Sequence, residues 1–429
     1  MYISTIKGEF TLNIQDYFSS HITTGRIAEI ASAACNYYNC STAKELSPNQ
    51  KLESLCTALA IDRLSLDEII ANSPEVKRTV KGHAFEIIFE KMLINNSISC
   101  TDIGGDGDTD LIVNNITLQL KTPYVNGCSE NTVSYKTHKT HGAKSELESF
   151  DYYHKVSDFA DYLVGLVSYE PFQVVIIPKN ELPRVPDHDE YIQSPMYINI
   201  ENGQYINDFN KLGISKSLVF PRSITTLDSN EILPLSASAM DVRSEYILEA
   251  IFRIENFRIW DMNMRGFIRE RSLSNLFFQN SITVFPPTIT GLDRPEKSDL
   301  VLQSKENNYI RFQVKGLTFS GCRFDGQNSR IDCETQLSRG RVNDHPTQSR
   351  LYKISDFEYV IMAMDPPYTN KYNLEYFGTP NYKWSYYCVP VAALSTHPTY
   401  TTRIASHQYI MFKDLLKYKI NPEWLTQWN

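Results

Sequence analysis

Lys81 to Ser99 reads KGHAFEIIFEKMLINNSIS, and Arg265 to Thr283 reads RGFIRERSLSNLFFQNSIT. Laid side by side without a gap, Lys81-Gly82 meets Arg265-Gly266, Glu86 meets Glu270, and Asn96-Ser97-Ile98 meets Asn280-Ser281-Ile282. The likeness continues downstream in the same order. Thr109-Asp110-Leu111-Ile112-Val113 is matched by Ser298-Asp299-Leu300-Val301-Leu302, and Leu118-Gln119-Leu120-Lys121 by Phe312-Gln313-Val314-Lys315. Tyr153 to Phe159 (YHKVSDF) then meets Leu351 to Phe357 (LYKISDF), and the strand-like Val174 to Pro178 meets Tyr386 to Pro390. Order and spacing kept over this distance mark an internal repeat.

Each copy reads as helix, strand, strand, helix or loop, strand, strand. Phe85, Ile88, Phe89 and Met92 recur at helical spacing within Ala84 to Leu93. Asp110 to Val113 and Thr117 to Lys121 are short, β-rich and joined by Asn114-Asn115, a tight-turn signal. The second copy has a longer connection, Gln303 to Asn308, again a hairpin. Alternation puts Arg311, Gln313 and Lys315 on one face of their strand and Ile310, Phe312 and Val314 on the other. The fold class is therefore α/β, with mixed central sheets flanked by helices. Arg26 to Tyr37, Lys51 to Arg63 and Leu66 to Ala71 read as helices, and Tyr197 to Ile206 as a hairpin turning at Asn202-Gly203. The expected organisation is a helical N-terminal segment (1–80), a first core (81–206), a junction (207–240) and a second core (241–429).

A chain of 429 residues suits two or three domains. With 42% hydrophobic and 21% charged residues it belongs among folded chains. Met1 to Asp16 carries no secretory signal, and no run approaches the ~20 apolar residues of a membrane span, so a cytoplasmic protein without a membrane partner is expected. The 8 cysteines form no CxxC pair, which argues for reduced thiols and against structural zinc; His138 and His141 lack ligand partners at zinc spacing. A net charge of −8 excludes indiscriminate coating of nucleic acid but leaves room for a cleft lined with basic groups.

Phosphodiester hydrolysis needs a divalent cation to activate water and offset charge developing on the phosphate. Magnesium takes hard oxygen ligands from few side chains and completes its shell with water. An Asp at the start of one strand and a Gln-x-Lys on its neighbour meet that need. The Asp and Gln oxygens supply ligands, and the lysine, on the same face as the Gln, reaches the phosphate or the attacking water. A helical Glu joins through water, with Glu90, Glu245 and Glu249 as alternative helical carboxylates.

In these residues the chain resembles the PD-(D/E)XK nuclease superfamily, to which many type II restriction enzymes belong. The resemblance covers about half of the chain. It implies two tandem restriction-endonuclease-like cores, with Glu86, Asp110, Gln119 and Lys121 in one site and Glu270, Asp299, Gln313 and Lys315 in the other. Asp110, Gln119, Asp299 and Gln313 are then the metal ligands, for Mg2+ with Mn2+ as a substitute. Thr109 and Ser298 stand where the family's proline precedes the Asp, and Gln replaces its second acidic residue; Gln-x-Lys variants occur among active members. Basic segments follow each lysine, and Lys136, Lys139, Lys144, Arg339, Arg341 and Arg350 are the expected contacts to double-stranded DNA. The resemblance implies a site-specific endonuclease acting as a monomeric pseudo-dimer, or as a homodimer. The alternatives are a repair or phage-defence nuclease on structured or modified DNA, or a DNA-binding module with one or both cores inactive.

Overall fold

The computed structural model describes residues 13–22, 25–103, 108–124, 128–129, 131–137, 153–225, 231–253, 263–291, 298–317, 321–323, 325, 328–336, 351–366 and 383–428. Helix α5 (Pro74–Asn95) and the corresponding helix of the second copy, α8 (Arg265–Gln279), stop in the same way. Asn96 Nδ2 donates to Met92 O and Asn280 Nδ2 to Leu276 O, both at 2.8 Å. Ser97 and Ser281 follow in the left-handed region at φ 55° and 61°. The N–H groups of Ile98 and Ile282 then close back onto Leu93 O and Phe277 O, each at 2.9 Å. This arrangement satisfies carbonyls that the last turn leaves open and turns the chain into the sheet. Helix α5 is longer than the Ala84 to Leu93 that the apolar spacing outlines.

Five-stranded sheets follow each helix. The first runs β1 (Cys100–Asp102), β2 (Leu111–Val113), β3 (Ile116–Lys121), β5 (Tyr162–Tyr169), β6 (Phe172–Pro178) across its width. The second runs β10 (Val284–Phe285), β11 (Leu300–Gln303), β12 (Tyr309–Gly316), β14 (Tyr359–Met364), β15 (Ser385–Pro390). In both sheets the third and fourth strands are parallel and every other pairing is antiparallel. The register repeats as well: Leu118 pairs with Tyr162 and Phe312 with Tyr359. Asn114 and Asn115 both have positive φ, 50° and 64°, as a two-residue hairpin turn requires. The expected mixed α/β architecture with two similar sheet-and-helix units is what the chain forms.

The central parallel pair is covered on both faces, which is why Tyr359 to Met364 is an almost unbroken apolar run. On one face of the second sheet, Leu273 and Phe277 of α8 pack against Phe312, Val314 and Ile361; on the other, Val360 and Met362 pack with Tyr352, Phe357 and Ile331. A second antiparallel pair flanks each sheet, β4 (Thr132–Tyr135) with β9 (Met196–Asn199), and β13 (Arg330–Glu334) with β16 (His407–Met411). Here the sequence reading needs correction. Tyr197 lies in β9, whose partner is β4, so Tyr197 to Ile206 is not a hairpin. Beyond the turn that contains Gly203 (φ 63°), Ile206 bridges instead to Val175. Val133 and Ile198 bury on the same core, and that packing outweighs the local turn signal.

The repeat also begins earlier than Lys81. Helices α3 (Pro48–Leu59) and α6 (Pro234–Met240) each end on a left-handed residue, Ala60 at φ 47° and Asp241 at φ 56°. Ile61 N then bonds Cys56 O at 3.1 Å and Val242 N bonds Ala237 O at 3.2 Å. The helices α4 (Arg63–Asn72) and α7 (Ser244–Arg253) follow.

Two compact units result, one of residues 67–263 and one of residues 1–66 with 264–429. Their limits fall at 66/67 and 263/264, where the sequence reading places boundaries at 80/81 and within 207–240. Each core is therefore completed by helices that lead, in sequence, into the other core. In the first unit α7 is tied to α5: Arg253 pairs with Glu90 and Glu249, and Lys91 with Glu249 and the Tyr246 ring. In the second, Asn275 of α8 donates to Ser65 Oγ at 3.3 Å, and Trp384 Nε1 to Leu59 O at 3.1 Å.

Dividing the chain between residues 225 and 231 separates each core from its helices. Fragments 1–225 and 231–429 expressed apart are expected to be unfolded or aggregated, and co-expressed to purify as a 1:1 complex, measured by circular dichroism and light scattering. A native-like monomer from 1–225 alone would contradict the exchange.

Candidate active sites

Strand order delivers the predicted residues to the same place in each copy. Asp110 precedes β2 and Asp299 precedes β11, and their N–H groups bond Leu118 O at 2.8 Å and Phe312 O at 2.9 Å. Each carboxylate turns across to the neighbouring strand. Asp110 Oδ2 accepts from Gln119 Nε2 and from Leu120 N, both at 2.6 Å. Asp299 Oδ2 accepts from Gln313 Nε2 and from Val314 N, the latter at 2.7 Å. Gln119 and Gln313 are each only 4% exposed. The Asp–Gln contact is thus a built, buried feature of both copies.

Glu and Lys complete the groups. Burial lifts Asp110 to about 6, against the pull of the Lys121 charge and with a further push from Glu86. Burial also raises Asp299, opposed by Lys315. The charges of Glu86, Asp110 and Lys121 act on one another, as do those of Glu270, Asp299 and Lys315, so each set shares one low-dielectric environment. No ion pair within 4.0 Å engages Lys121 or Lys315 among the described residues, although Lys315 Nζ lies 5.1 Å from the centre of the Tyr352 ring. Burial pulls the Lys315 ammonium down, but Tyr352 and Asp299 more than offset this and hold it above its usual range.

The helical carboxylates differ. Burial pushes Glu86 up, yet the His83 hydrogen bond, helped by Lys121 and Arg253, leaves it below the usual range. Glu270 has no such partner and rises to about 8, driven by burial and then by the Asp299 charge. The alternative carboxylates Glu90 and Glu249 are taken up by Arg253 and Lys91 in the α5–α7 contact. Residue identity alone did not single out His83, Arg253 or Tyr352. His83 was legible as a helical neighbour three residues before Glu86, whereas Arg253 and Tyr352 arrive through the fold. Gly316, directly after Lys315, has no counterpart in the first copy; a Cβ there would come within 2.1 Å of the Arg269 guanidinium, which with Arg265 grips the buried Asp365.

Among the described residues no three His, Cys, Asp or Glu side chains converge as a metal cluster. The donor set here is instead one Asp, one Gln and a nearby Glu, all hard oxygen groups of the kind magnesium takes when water fills the remaining positions. Gln313 Oε1 is buried without a hydrogen-bond partner, an acceptor left open beside Asp299. An unpaired buried oxygen is costly, and a small hard cation is a fitting partner for it. The residues fit the group.

Of the expected DNA contacts, Lys136 is exposed, its ammonium 3.6 Å from the centre of the Tyr124 ring. Lys139, Lys144, Arg339, Arg341 and Arg350, like His138 and His141, lie outside the described residues. No helix among the described residues is long and apolar enough to cross a membrane. No family model, curated protein or solved structure matches this chain.

Two stability measurements follow. A carboxyl raised in the folded state keeps its proton while the unfolded chain loses it, so it costs stability as pH climbs from 4.5 toward 8. A carboxyl held low contributes stability above its unfolded value. At pH 8.5, Glu270→Gln should therefore raise Tm by about 3 °C or more and Glu86→Gln should lower it by a similar amount. Near pH 5 the Glu270→Gln gain should vanish; melting curves in which both variants shift together would contradict the assignment.

Gln313→Glu would set two carboxylates against each other where Gln313 Nε2 now donates to Asp299. The expected cost without divalent cation is roughly 1–3 kcal/mol, recovered on adding millimolar Mg2+ or Mn2+. Loss of stability that magnesium leaves unchanged would count against a cation site.

Proposed function

We propose that this chain is a site-specific, magnesium-dependent DNA endonuclease of the PD-(D/E)XK, restriction-enzyme kind. Its two restriction-endonuclease-like cores would each hydrolyse one strand of the duplex as a pseudo-dimer. The observation that carries the reading is the exact repetition of one chemical set. In both copies an Asp before a hairpin strand meets a buried Gln, with a lysine two residues on and a helical Glu beside it. Further support comes from the make-up of the units, since residues 1–66 group with the second sheet rather than with the first, which follows them in sequence. A cytoplasmic location, with Mn2+ able to replace Mg2+, belongs to the same proposal.

Asp110 and Gln119 would hold the ion in the first site, and Asp299 and Gln313 in the second. When bound, it supplies an activated water and a counter-charge for the phosphate. The rest is the work of this chain's residues. Lys121 and Lys315, without ion-pair partners among the described residues, are available to the scissile phosphate, where a fixed cation in a low-dielectric setting is worth most. Glu86 and Glu270 orient water at the edge of the site. The basic segments carrying Lys136, Lys139, Lys144, Arg339, Arg341 and Arg350 would engage the DNA backbone and bases.

The lysines test the reading. Lys121→Ala and Lys315→Ala are each expected to slow one strand on the order of 10²-fold or more, converting the protein into a nicking enzyme. Supercoiled plasmid should accumulate as open circles with either variant, the nicks should map to opposite strands, and the double variant should be inert. If one variant abolishes all cleavage while the other still yields linear product, only one copy is a catalyst.

A further inference from the structure

The two copies secure their helical carboxylates differently, and the internal repeat allows a position-by-position comparison. His83 Nδ1 lies 2.9 Å from Glu86 Oε2, one helical turn away. In the gap-free alignment Glu86 corresponds to Glu270, and His83 corresponds to Phe267. Phenylalanine offers no hydrogen bond. Among the described residues the Glu270 carboxylate accepts none, and only its backbone carbonyl is engaged, by Ser274 Oγ at 2.9 Å.

A second difference reinforces the first. Arg253 of α7 pairs with Glu90 and Glu249 on the α5 side, and its charge also acts on Glu86. The charge of Lys121 on β3 also acts on Glu86, in addition to the His83 hydrogen bond from its own helix. The charges of Asp299, Lys315 and Arg269 act on Glu270, and Arg269 is already committed to Asp365. The His83 and Glu86 side chains are 31% and 33% exposed, so the pair sits at the open edge of an otherwise buried group.

We infer that His83 is a positioning residue that fixes the Glu86 carboxylate for reaction, and that the two sites are consequently unequal, the first copy cutting its strand before the second. This rests on the nuclease reading. A carboxylate locked in one rotamer by a charge-assisted hydrogen bond is prepared for its task, whereas one that must be ordered in each turnover loses rate. One such contact corresponds to a rate difference of about tenfold.

Strand-resolved single-turnover cleavage of supercoiled plasmid with Mg2+ tests it, each strand being assigned to a copy by the lysine variants. The wild-type protein should nick the first copy's strand about tenfold faster than the other. His83→Ala should slow that strand alone by about tenfold, without raising KM for DNA. His83→Gln, which keeps a donor, should restore much of the rate. Phe267→His should speed the second strand and bring the two rates together. Equal strand rates in an active wild-type protein, or slowing of both strands by His83→Ala, would overturn the inference and leave the nuclease reading standing. No magnesium-dependent cleavage by the wild-type protein would overturn both.

Discussion

One carboxylate oxygen, used twice, ties the start of the hairpin to the lysine-bearing strand in each sheet. Oδ2 of Asp110, and of Asp299 in the second copy, accepts a bond from a Gln side chain and another from the next strand's backbone N–H. A bond to a charged acceptor is worth more than a neutral one, and two at the same oxygen pin the start of the hairpin to the strand that carries the lysine. That strand in turn sets the parallel pairing at the middle of the sheet. The contact is thus structural as well as chemical. A structural clamp accounts for the Asp and the Gln, but leaves the Glu and the Lys unexplained. Placing two carboxylates and an ammonium in a low-dielectric setting costs free energy, and doing so twice at matching positions is what a reaction site would need.

The copies share a frame but not its furnishing. Tyr352 lies over Lys315, whereas at the matching position His154 Nδ1 lies 3.0 Å from Asp108 Oδ1. Arg265 and Arg269 enclose Asp365, whereas the matching Lys81 and Ser168 border an open cleft of about 320 Å3. Two identical chains must carry the same substitutions, while two copies in one chain are free to specialise.

Much of this was legible in the sequence because the same constraints were written twice. Asn96-Ser97-Ile98 was legible as a repeated element, matched by Asn280-Ser281-Ile282, because left-handed residues and side-chain caps restrict residue type; that it ends a helix was not, since apolar spacing outlines the helix only to Leu93. The Asn114-Asn115 turn and the Asp, Gln and Lys positions were visible for similar reasons. What escaped was set by distant packing. The partner of β9, the helix α6, the correspondence of α3 and α4 with α6 and α7, and the grouping of residues 1–66 with 264–429 depend on apolar surfaces far apart in sequence. Ala60-Ile61 and Asp241-Val242 share only a backbone conformation and a buried apolar residue, which identity matching does not register. Within the sites, His83 was within reach of helical spacing, but Arg253 is brought to Glu90 by a helix from the other copy's leading segment.

The central claim is that this doubled arrangement hydrolyses DNA with a divalent metal. Incubation of the purified protein with supercoiled plasmid, with Mg2+ and in parallel with EDTA, tests it most directly. The account predicts discrete linear fragments with Mg2+ and intact plasmid with EDTA. Intact plasmid under both conditions, across plasmids of varied sequence and methylation, would contradict it.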